Sequence, residues 1–106
     1  MELHLATSFL PYPSELKMRI LEVSNIKTSN VQKICSLNVE LGYIYLDAVK
    51  EILTKNNLKS EDITFVAMHG QTIWHNPNHM DGLYSSTLQI GDPSIIAYNL
   101  NIEVIS

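Results

Sequence analysis

Apolar residues recur at helical spacing in two segments in the first half of the chain. Residues 13–25 predict a short helix, because Pro13 suits a first helical turn and Leu, Ile and Val then recur on one side. Residues 30–55 predict a long helix, with Ser29 and Gln32 forming a capping-box pattern at its start. The apolar stripe of this long helix comprises Ile34, Leu37, Leu41, Ile44, Tyr45, Ala48, Ile52 and Leu53. Two amphipathic helices are therefore expected.

Gly42 lies in the middle of the long predicted helix. A glycine there costs about 1 kcal/mol relative to alanine, so either another element packs closely against it or the glycine is merely tolerated. On the charged side of the same helix, Glu51 and Lys55 are correctly ordered for a weak i,i+4 ion pair.

The remaining apolar runs predict extended segments. They cover residues 3–9, 63–68, 87–90 and 102–105. Residues 63–68 are apolar at nearly every position, which predicts a strand buried on both faces. Residues 69–86 contain Gly, Pro, Asn and His without periodicity and predict a long loop. With a further helix starting at Asp92 and Pro93, the order is typical of a layered α/β architecture with helices flanking a largely parallel sheet.

Polar residues follow directly after the strand predicted at 63–68. In open α/β sheets, ligands bind beyond the carboxyl ends of strands, which makes this turn a candidate site. Gly70 permits a tight turn, and His69, Gln71 and Thr72 offer donors and acceptors suited to sugar hydroxyls. The alternative is a hydrogen-bonded loop that only caps the strand.

A second polar cluster surrounds the start of the last predicted helix. Gly91, Asp92 and Pro93 place backbone donors and a carboxylate at a helix N-terminus, where Asp92 is expected mainly to cap its own helix. Gln89 either reaches the same crevice as the first cluster or satisfies loop backbone.

Charge and composition exclude several classes of protein. The net charge is −4 and the seven basic residues are scattered, so a nucleic-acid partner is excluded. No apolar run approaches the roughly 20 residues that span a bilayer, so no membrane partner is expected. Cys35 is the only cysteine, which rules out an internal disulfide and fits a reducing cytoplasm.

Three further residues invite a metal site, because His75, His79 and Asp81 are good ligand types. Pro77 prevents a regular helix from bringing the two histidines onto one face, and no cysteines complete a site. No metal ligation is therefore expected. The neighbouring Trp74 could present its ring to a sugar, but core packing is the expected role.

Two motifs in this order carry a resemblance to a known family. His69-Gly70-Gln71-Thr72 with Trp74-His75, followed by residues 87–93, closely resembles the anhydro-N-acetylmuramic acid kinases, and the likeness extends over nearly the whole chain. The resemblance implies the actin, Hsp70 and sugar-kinase superfamily, with two ribonuclease H-like lobes around a cleft for ATP and sugar. It implies Mg²⁺, a small-molecule amino sugar, and conversion of 1,6-anhydro-N-acetylmuramic acid to N-acetylmuramic acid 6-phosphate for cell-wall recycling.

The same resemblance assigns roles to seven residues. The sugar-binding residues it implies are His69, Gly70, Gln71 and Thr72, supported by Gln89, Gly91 and Asp92. The family's glycine- and serine-rich phosphate loop is expected upstream of this chain, and its catalytic aspartate, in an Asp-Phe-Arg motif, after Ser106. No catalytic residue is therefore expected within the chain, which should bind no ATP or Mg²⁺ and be inactive by itself.

Residues 1–106 are accordingly expected to form a fragment of one ribonuclease H-like kinase lobe, a mixed sheet with flanking helices that lacks its first two strands. Both ends of the chain look cut, and exposed sheet edges would be covered by rearrangement, by the rest of a larger protein or by a homodimer. One alternative function is a non-catalytic module that binds a sugar or a partner. A weaker one is an assembly domain related to actin or Hsp70.

Overall fold

The computed structural model describes residues 12–79 and 81–106. The elements in chain order are α1 (Ser14–Val23), α2 (Val31–Lys55), a 3₁₀ turn (Ser60–Asp62), β1 (Phe65–Ala67), β2 (Gln71–Asn76), β3 (Ser86–Ile90), α3 (Pro93–Leu100) and β4 (Glu103–Ile105). The α/β class is confirmed: a parallel pair, β1 with β4, and an antiparallel pair, β2 with β3, are flanked by helices. The strand predicted at residues 3–9 lies outside the described residues.

The bounds of both predicted N-terminal helices are confirmed to within two residues, but the capping box is wrong. Asn30, one residue after Ser29, has an extended backbone, and its side-chain Oδ1 accepts a hydrogen bond from the Lys33 backbone N–H at 2.8 Å. Asn is as good an N-cap as Ser, so the helix begins at the residue whose backbone already has the cap geometry. At the other end, the predicted pair forms, with Lys55 Nζ 2.8 Å from Glu51 Oε1. This hydrogen bond lowers the pKa of Glu51.

The predicted loop over residues 69–86 is wrong in its first half, which forms β2. This strand pairs with β3 from Gln71 opposite Ile90 to Asn76 opposite Ser86, with an irregular register between Thr72 and Trp74. The irregularity shifts the alternation of inward and outward side chains midway through the strand, which hides the period of two in the sequence. The turn-forming residues are concentrated after the strand, between 77 and 82.

The parallel pair is shorter and more exposed than the sequence suggests. The strand predicted over 63–68 is confined to β1, whose Phe65 is 42% exposed, so burial on both faces is not observed. Within the described part of the chain, β1 pairs with β4 alone, and a strand paired on one side presents its other edge to solvent.

The main core joins α1, α2 and the base of the β2–β3 hairpin. Its buried residues are Leu16, Ile20, Val23, Leu37, Leu41, Ile73 and Ile90. Burying an aliphatic side chain of this size contributes about 1.5–3 kcal/mol, so this cluster fixes the hairpin base against α2. Of the helices in the described residues, none is long and apolar enough to cross a membrane.

Candidate functional site

A groove of about 230 Å³ lies where β1, β2, β3 and α3 meet. Five of the seven residues expected from the sequence line it: His69, Gly70, Gln89, Gly91 and Asp92. The two separate motifs are therefore brought together in space. His69 leaves the carboxyl end of β1 and is exposed, so its imidazole is accessible to a ligand.

Gly70 allows β2 to begin directly against the end of β3. Its φ of +73° lies in the left-handed region, and a Cβ there would be 2.6 Å from the Ile90 carbonyl oxygen. Any larger residue would have to push the two strands apart. The close approach holds the first motif next to the second.

Gly91 turns the chain from β3 into α3 under equally tight conditions. Its φ is +121°, and a Cβ would lie 2.5 Å from Cε2 of Tyr45. Its backbone N–H donates to Oδ1 of Asn38 at 2.7 Å. The turn is therefore fixed on α2 by a ring contact and by a side-chain hydrogen bond.

Asp92 caps α3 as predicted. Its Oδ1 accepts hydrogen bonds from the backbone N–H of Ser94 at 2.9 Å and from the Ser94 hydroxyl at 2.7 Å, and Pro93 occupies the first helical position. These two bonds hold the carboxylate in one orientation at the edge of the groove. Asp92 can therefore cap α3 and line the groove at the same time.

The close packing considered for Gly42 is present. A Cβ at this position would lie 2.7 Å from Cδ1 of Ile95 and 2.9 Å from the Asp92 carbonyl oxygen. The glycine in the middle of α2 is therefore the position at which α3 and the turn before it approach that helix, and the tolerated-glycine alternative is wrong.

Gln71 and Thr72 lie beside the groove and do not line it. Gln71 is half-buried, and its Nε2 donates to the Thr72 carbonyl oxygen at 3.0 Å. The exposed Thr72 hydroxyl accepts a hydrogen bond from Gln89 Nε2 at 3.2 Å. Thr72 is thus linked to the groove by its hydrogen bond with Gln89, and Gln71 is linked to it through Thr72.

Trp74 does not pack in the core as expected, because it is 39% exposed. It follows the irregularity in register and lies opposite Leu88 on β3. Its indole N–H donates to Oδ1 of Asn76 at 2.8 Å.

The two histidines considered for a metal site have different neighbours. His75 Nδ1 is 2.7 Å from the Thr87 hydroxyl across the hairpin, whereas His79 stacks on the ring of Tyr84 at 5.0 Å. Among residues 12–79 and 81–106, no three His, Cys, Asp or Glu side chains are grouped in a way that could hold a metal ion.

Two groove-supporting residues, Asn38 and Tyr45, were not singled out from the sequence. Asn38 lines the groove, and the Tyr45 hydroxyl lies 2.9 Å from that of Tyr12. Burial, together with the bond to Tyr12, raises the pKa of Tyr45 well above its usual value, so the phenol acts as a packed neutral group. The available signal was spacing: Asn38 is a polar residue one turn before Gly42, on the side of α2 that also carries Tyr45.

The side chains that line the groove suit a ligand that carries hydroxyl and amide groups. Asp92 places a carboxyl group at the edge of the groove, and no Lys or Arg is among the described lining residues. A triphosphate needs positive charge or a metal to offset its own charge, so these residues do not fit the phosphates of ATP. Imidazole, carboxamide and carboxylate groups together can bind sugar hydroxyls in a fixed orientation.

A family model described as anhydro-N-acetylmuramic acid kinase matches residues 1–106, the entire chain. This chain belongs to that family. An anhydro-N-acetylmuramic acid kinase of Bacillus cereus is 46% identical over 97 residues, which is 92% of this chain and 25% of the relative. An anhydro-N-acetylmuramic acid kinase of Francisella tularensis subsp. novicida is 46% identical over 96 residues, or 91% of this chain and 25% of its own length. The chain thus spans about a quarter of the length of these curated relatives.

Proposed function

We propose that this chain forms one wall of the sugar cleft in an ATP-dependent kinase. The whole enzyme opens 1,6-anhydro-N-acetylmuramic acid with water and phosphorylates it to N-acetylmuramic acid 6-phosphate, a step in cell-wall recycling. The observation that supports this function most strongly is the groove itself, in which two motifs about 20 residues apart in sequence meet, in a chain that belongs to the kinase family.

In this proposal the groove residues bind and orient the sugar. His69 and Gln89 supply donors and acceptors for hydroxyl groups, and the close contacts of Gly70 and Gly91 hold the two motifs together. Because Asp92 Oδ1 already accepts two bonds from Ser94, its Oδ2 has capacity to accept a bond from a sugar hydroxyl. Fixing a sugar in this way lowers the barrier by positioning it for attack.

The parts that transfer the phosphoryl group lie, in this proposal, outside residues 1–106. ATP and Mg²⁺ supply the phosphoryl group and its charge neutralisation in such enzymes, and the described groove residues do not fit them. The catalytic aspartate and the phosphate loop would come from the remaining length of the enzyme. The isolated chain is therefore expected to be inactive. A single cysteine and the use of ATP favour the cytoplasm.

Exposed apolar residues indicate which surfaces the rest of the enzyme covers. Phe65 and Ile105 are exposed on the parallel pair, and Trp74 and Leu88 on the hairpin. We take residues 1–106 as part of one ribonuclease H-like lobe in the actin, Hsp70 and sugar-kinase superfamily, with the remaining strands of that lobe against β1 and β4. A homodimer that covers the same surfaces is the alternative.

A chimera tests the proposed function. Residues 1–106 replace the matching segment of the Bacillus cereus relative, and formation of the 6-phosphate from the anhydro-sugar is measured with ATP and Mg²⁺. The chimera should turn over, whereas the same chimera with His69→Ala and Gln89→Ala should lose most of its kcat/KM. A folded, nucleotide-binding chimera that neither binds nor phosphorylates the sugar would overturn the proposal.

The alternative, a non-catalytic binding module, is favoured by one observation: the described lining residues of the groove include no Lys or Arg that could bind a phosphate. Titration of the isolated chain with 1,6-anhydro-N-acetylmuramic acid, followed by NMR, addresses it. Saturable shifts at Gly70 and Gly91 together with an inactive chimera would favour the module, and an active chimera would favour the kinase.

A further inference from the structure

We infer that Asn38 is the positioning residue of the groove, an inference that rests on the proposed sugar-binding function. It belongs to neither motif and lies more than 50 residues before the turn that it holds, since the hydrogen bond from Gly91 to Asn38 has a sequence separation of 53. Its role is to set the backbone geometry of Gly91 and Asp92 before a ligand arrives.

The central observation is that Asn38 binds two consecutive backbone N–H groups. Its side-chain Oδ1 accepts from Gly91 at 2.7 Å, and its backbone carbonyl oxygen accepts from Asp92 at 3.0 Å. Two hydrogen bonds to adjacent residues fix both the position and the tilt of the intervening peptide. With only one hydrogen bond, this peptide could still rotate about the contact.

The surrounding face of α2 is shaped to receive the turn. Asn38, Gly42 and Tyr45 recur at i, i+4 and i+7 and therefore lie on one side of the helix. Gly42 removes the side chain that would strike the Asp92 carbonyl oxygen, and the ring of Tyr45 lies against Gly91. Leu37 and Leu41, both buried, hold this part of the helix in the core.

Gly91 makes such a restraint necessary. A glycine has more backbone conformations available than any other residue, and the conformation observed at Gly91 places Gln89 and Asp92 on the same groove. Restricting the turn in advance lowers the entropy lost when a ligand is bound. The Asn38 side chain supplies the bond that a substitution can remove, because the backbone carbonyl remains in every variant.

The experiment compares the unchanged 106-residue chain with Asn38→Ala, Asn38→Asp and Asn56→Ala by ¹⁵N NMR. Asn38→Asp keeps an oxygen acceptor at the same distance, whereas Asn38→Ala removes it. Asn56→Ala is the matched control, because Asn56 follows the same helix and its side chain donates to Ile52 far from the groove. The readouts are the Gly91 amide proton shift, its hydrogen-exchange rate, and the affinity for 1,6-anhydro-N-acetylmuramic acid.

In Asn38→Ala the Gly91 amide should move upfield and exchange at least about threefold faster, and sugar affinity should fall about three- to tenfold, the effect of losing one hydrogen bond. Asn38→Asp should restore the Gly91 amide signal and rank between the alanine variant and the unchanged chain in affinity. Asn56→Ala should change neither readout. This pattern would distinguish positioning from a general loss of stability.

Two results would overturn the inference: an unchanged Gly91 amide in Asn38→Ala, or an altered amide with unaltered sugar affinity. Restoration of the amide by Asn38→Asp with an affinity no better than that of Asn38→Ala would also overturn it, in favour of direct ligand contact. If no form of the chain binds the sugar and the chimera is inactive, the proposed function fails, while the Gly91 amide still decides whether Asn38 presets the turn.

Discussion

The two ends of the β2–β3 hairpin are built on different principles. At the groove end, Ile90 is buried in the core and Gly91 is held on α2 through Asn38. At the far end, Trp74 and Leu88 are exposed, and local hydrogen bonds between neighbouring side chains stabilise the strands. The same pair of strands is thus anchored at one end and open at the other.

The difference shows how a short chain can hold a groove in a fixed shape. Three different constraints fix the turn at the groove. Ile90 before the turn is buried, the Asn38 side chain accepts a hydrogen bond from Gly91, and Gly91 lies too close to its neighbours for a Cβ to fit. Among the described residues of the far end, no apolar side chain is buried between 77 and 89, and a Cβ on Gly82 would meet no atom within 4 Å. Substitutions of the same kind at the two ends should therefore have very different effects.

The largest difference is expected for a matched pair of leucine substitutions. Leu41→Ala opens a cavity at a fully buried site (0% exposed) and should lower the free energy of unfolding by about 3–5 kcal/mol. Leu88→Ala, at a site 44% exposed, should cost less than about 1 kcal/mol. Urea titration monitored by circular dichroism measures both. Equal losses would mean that the exposed part of the hairpin is packed as tightly as the core to which its other end is anchored.

A matched pair of glycines gives the next largest effect. Gly91→Ala meets the Tyr45 ring in addition to an unfavourable backbone angle, and should lower the free energy of unfolding by about 2–4 kcal/mol. Gly82→Ala in the far turn has a φ of +77° but no atom within 4 Å, so only the backbone cost of about 1–2 kcal/mol applies. Thermal unfolding of both variants would refute the packing argument if Gly82→Ala were the more damaging.

A smaller effect should follow from Gly42→Ala. The added Cβ gains about 1 kcal/mol of helix propensity but must displace the Asp92 backbone, so a net loss of about 1 kcal/mol is expected. Ser36→Ala on the exposed side of the same helix should have the opposite sign. A Gly42→Ala variant that is more stable than the unchanged chain would show that α3 moves away without cost.

The smallest effect concerns an ion pair between α1 and α2. Arg19 contacts Glu40 at 2.6–2.8 Å and lowers the pKa of that carboxyl from its ordinary 4.5. The pair therefore stabilises the fold above that pH, and its contribution is lost as the pH falls through the lowered pKa. Both side chains are about 40% exposed, so less than about 1 kcal/mol is expected.

The difference in melting temperature between the unchanged chain and Glu40→Gln measures this contribution. The difference should be present at pH 6 and shrink as the pH falls below 4.5, through the lowered pKa of Glu40. A difference that does not change with pH over this range would assign the effect to packing of the residue and not to its charge.

The sequence predicts well those features that depend on neighbouring residues. The bounds of α2 and the Asp92 cap both follow from local rules of helix formation, whereas the close approach at Gly42 was one of two alternatives that the sequence left open. The register irregularity in β2 does not follow from such rules, because it depends on pairing with β3. For this reason the sequence predicts a loop where the strand lies and a core position for Trp74.

The candidate site was predicted only in part, again because the sequence reveals local patterns and not contacts between distant residues. The five groove residues identified in advance lie in two motifs at strand ends and a helix start, where general rules place ligands. Asn38 could not be identified in this way, since its role depends on a contact across 53 residues. Gln71 and Thr72 belong to the first motif, but strand geometry carries them past the groove edge.

The irregular register at Ile73 divides the pairing of β2 with β3 into two parts, one before Ile73 and one after it. Thr72 is aligned with Gln89 by the groove, whereas Trp74 and the residues after it follow the turn at the far end. We expect a change in the length of that turn to be taken up at this irregularity. A reporter peptide inserted near Gly82 should then leave the groove undisturbed, which makes the far turn a practical attachment point for labelling this protein.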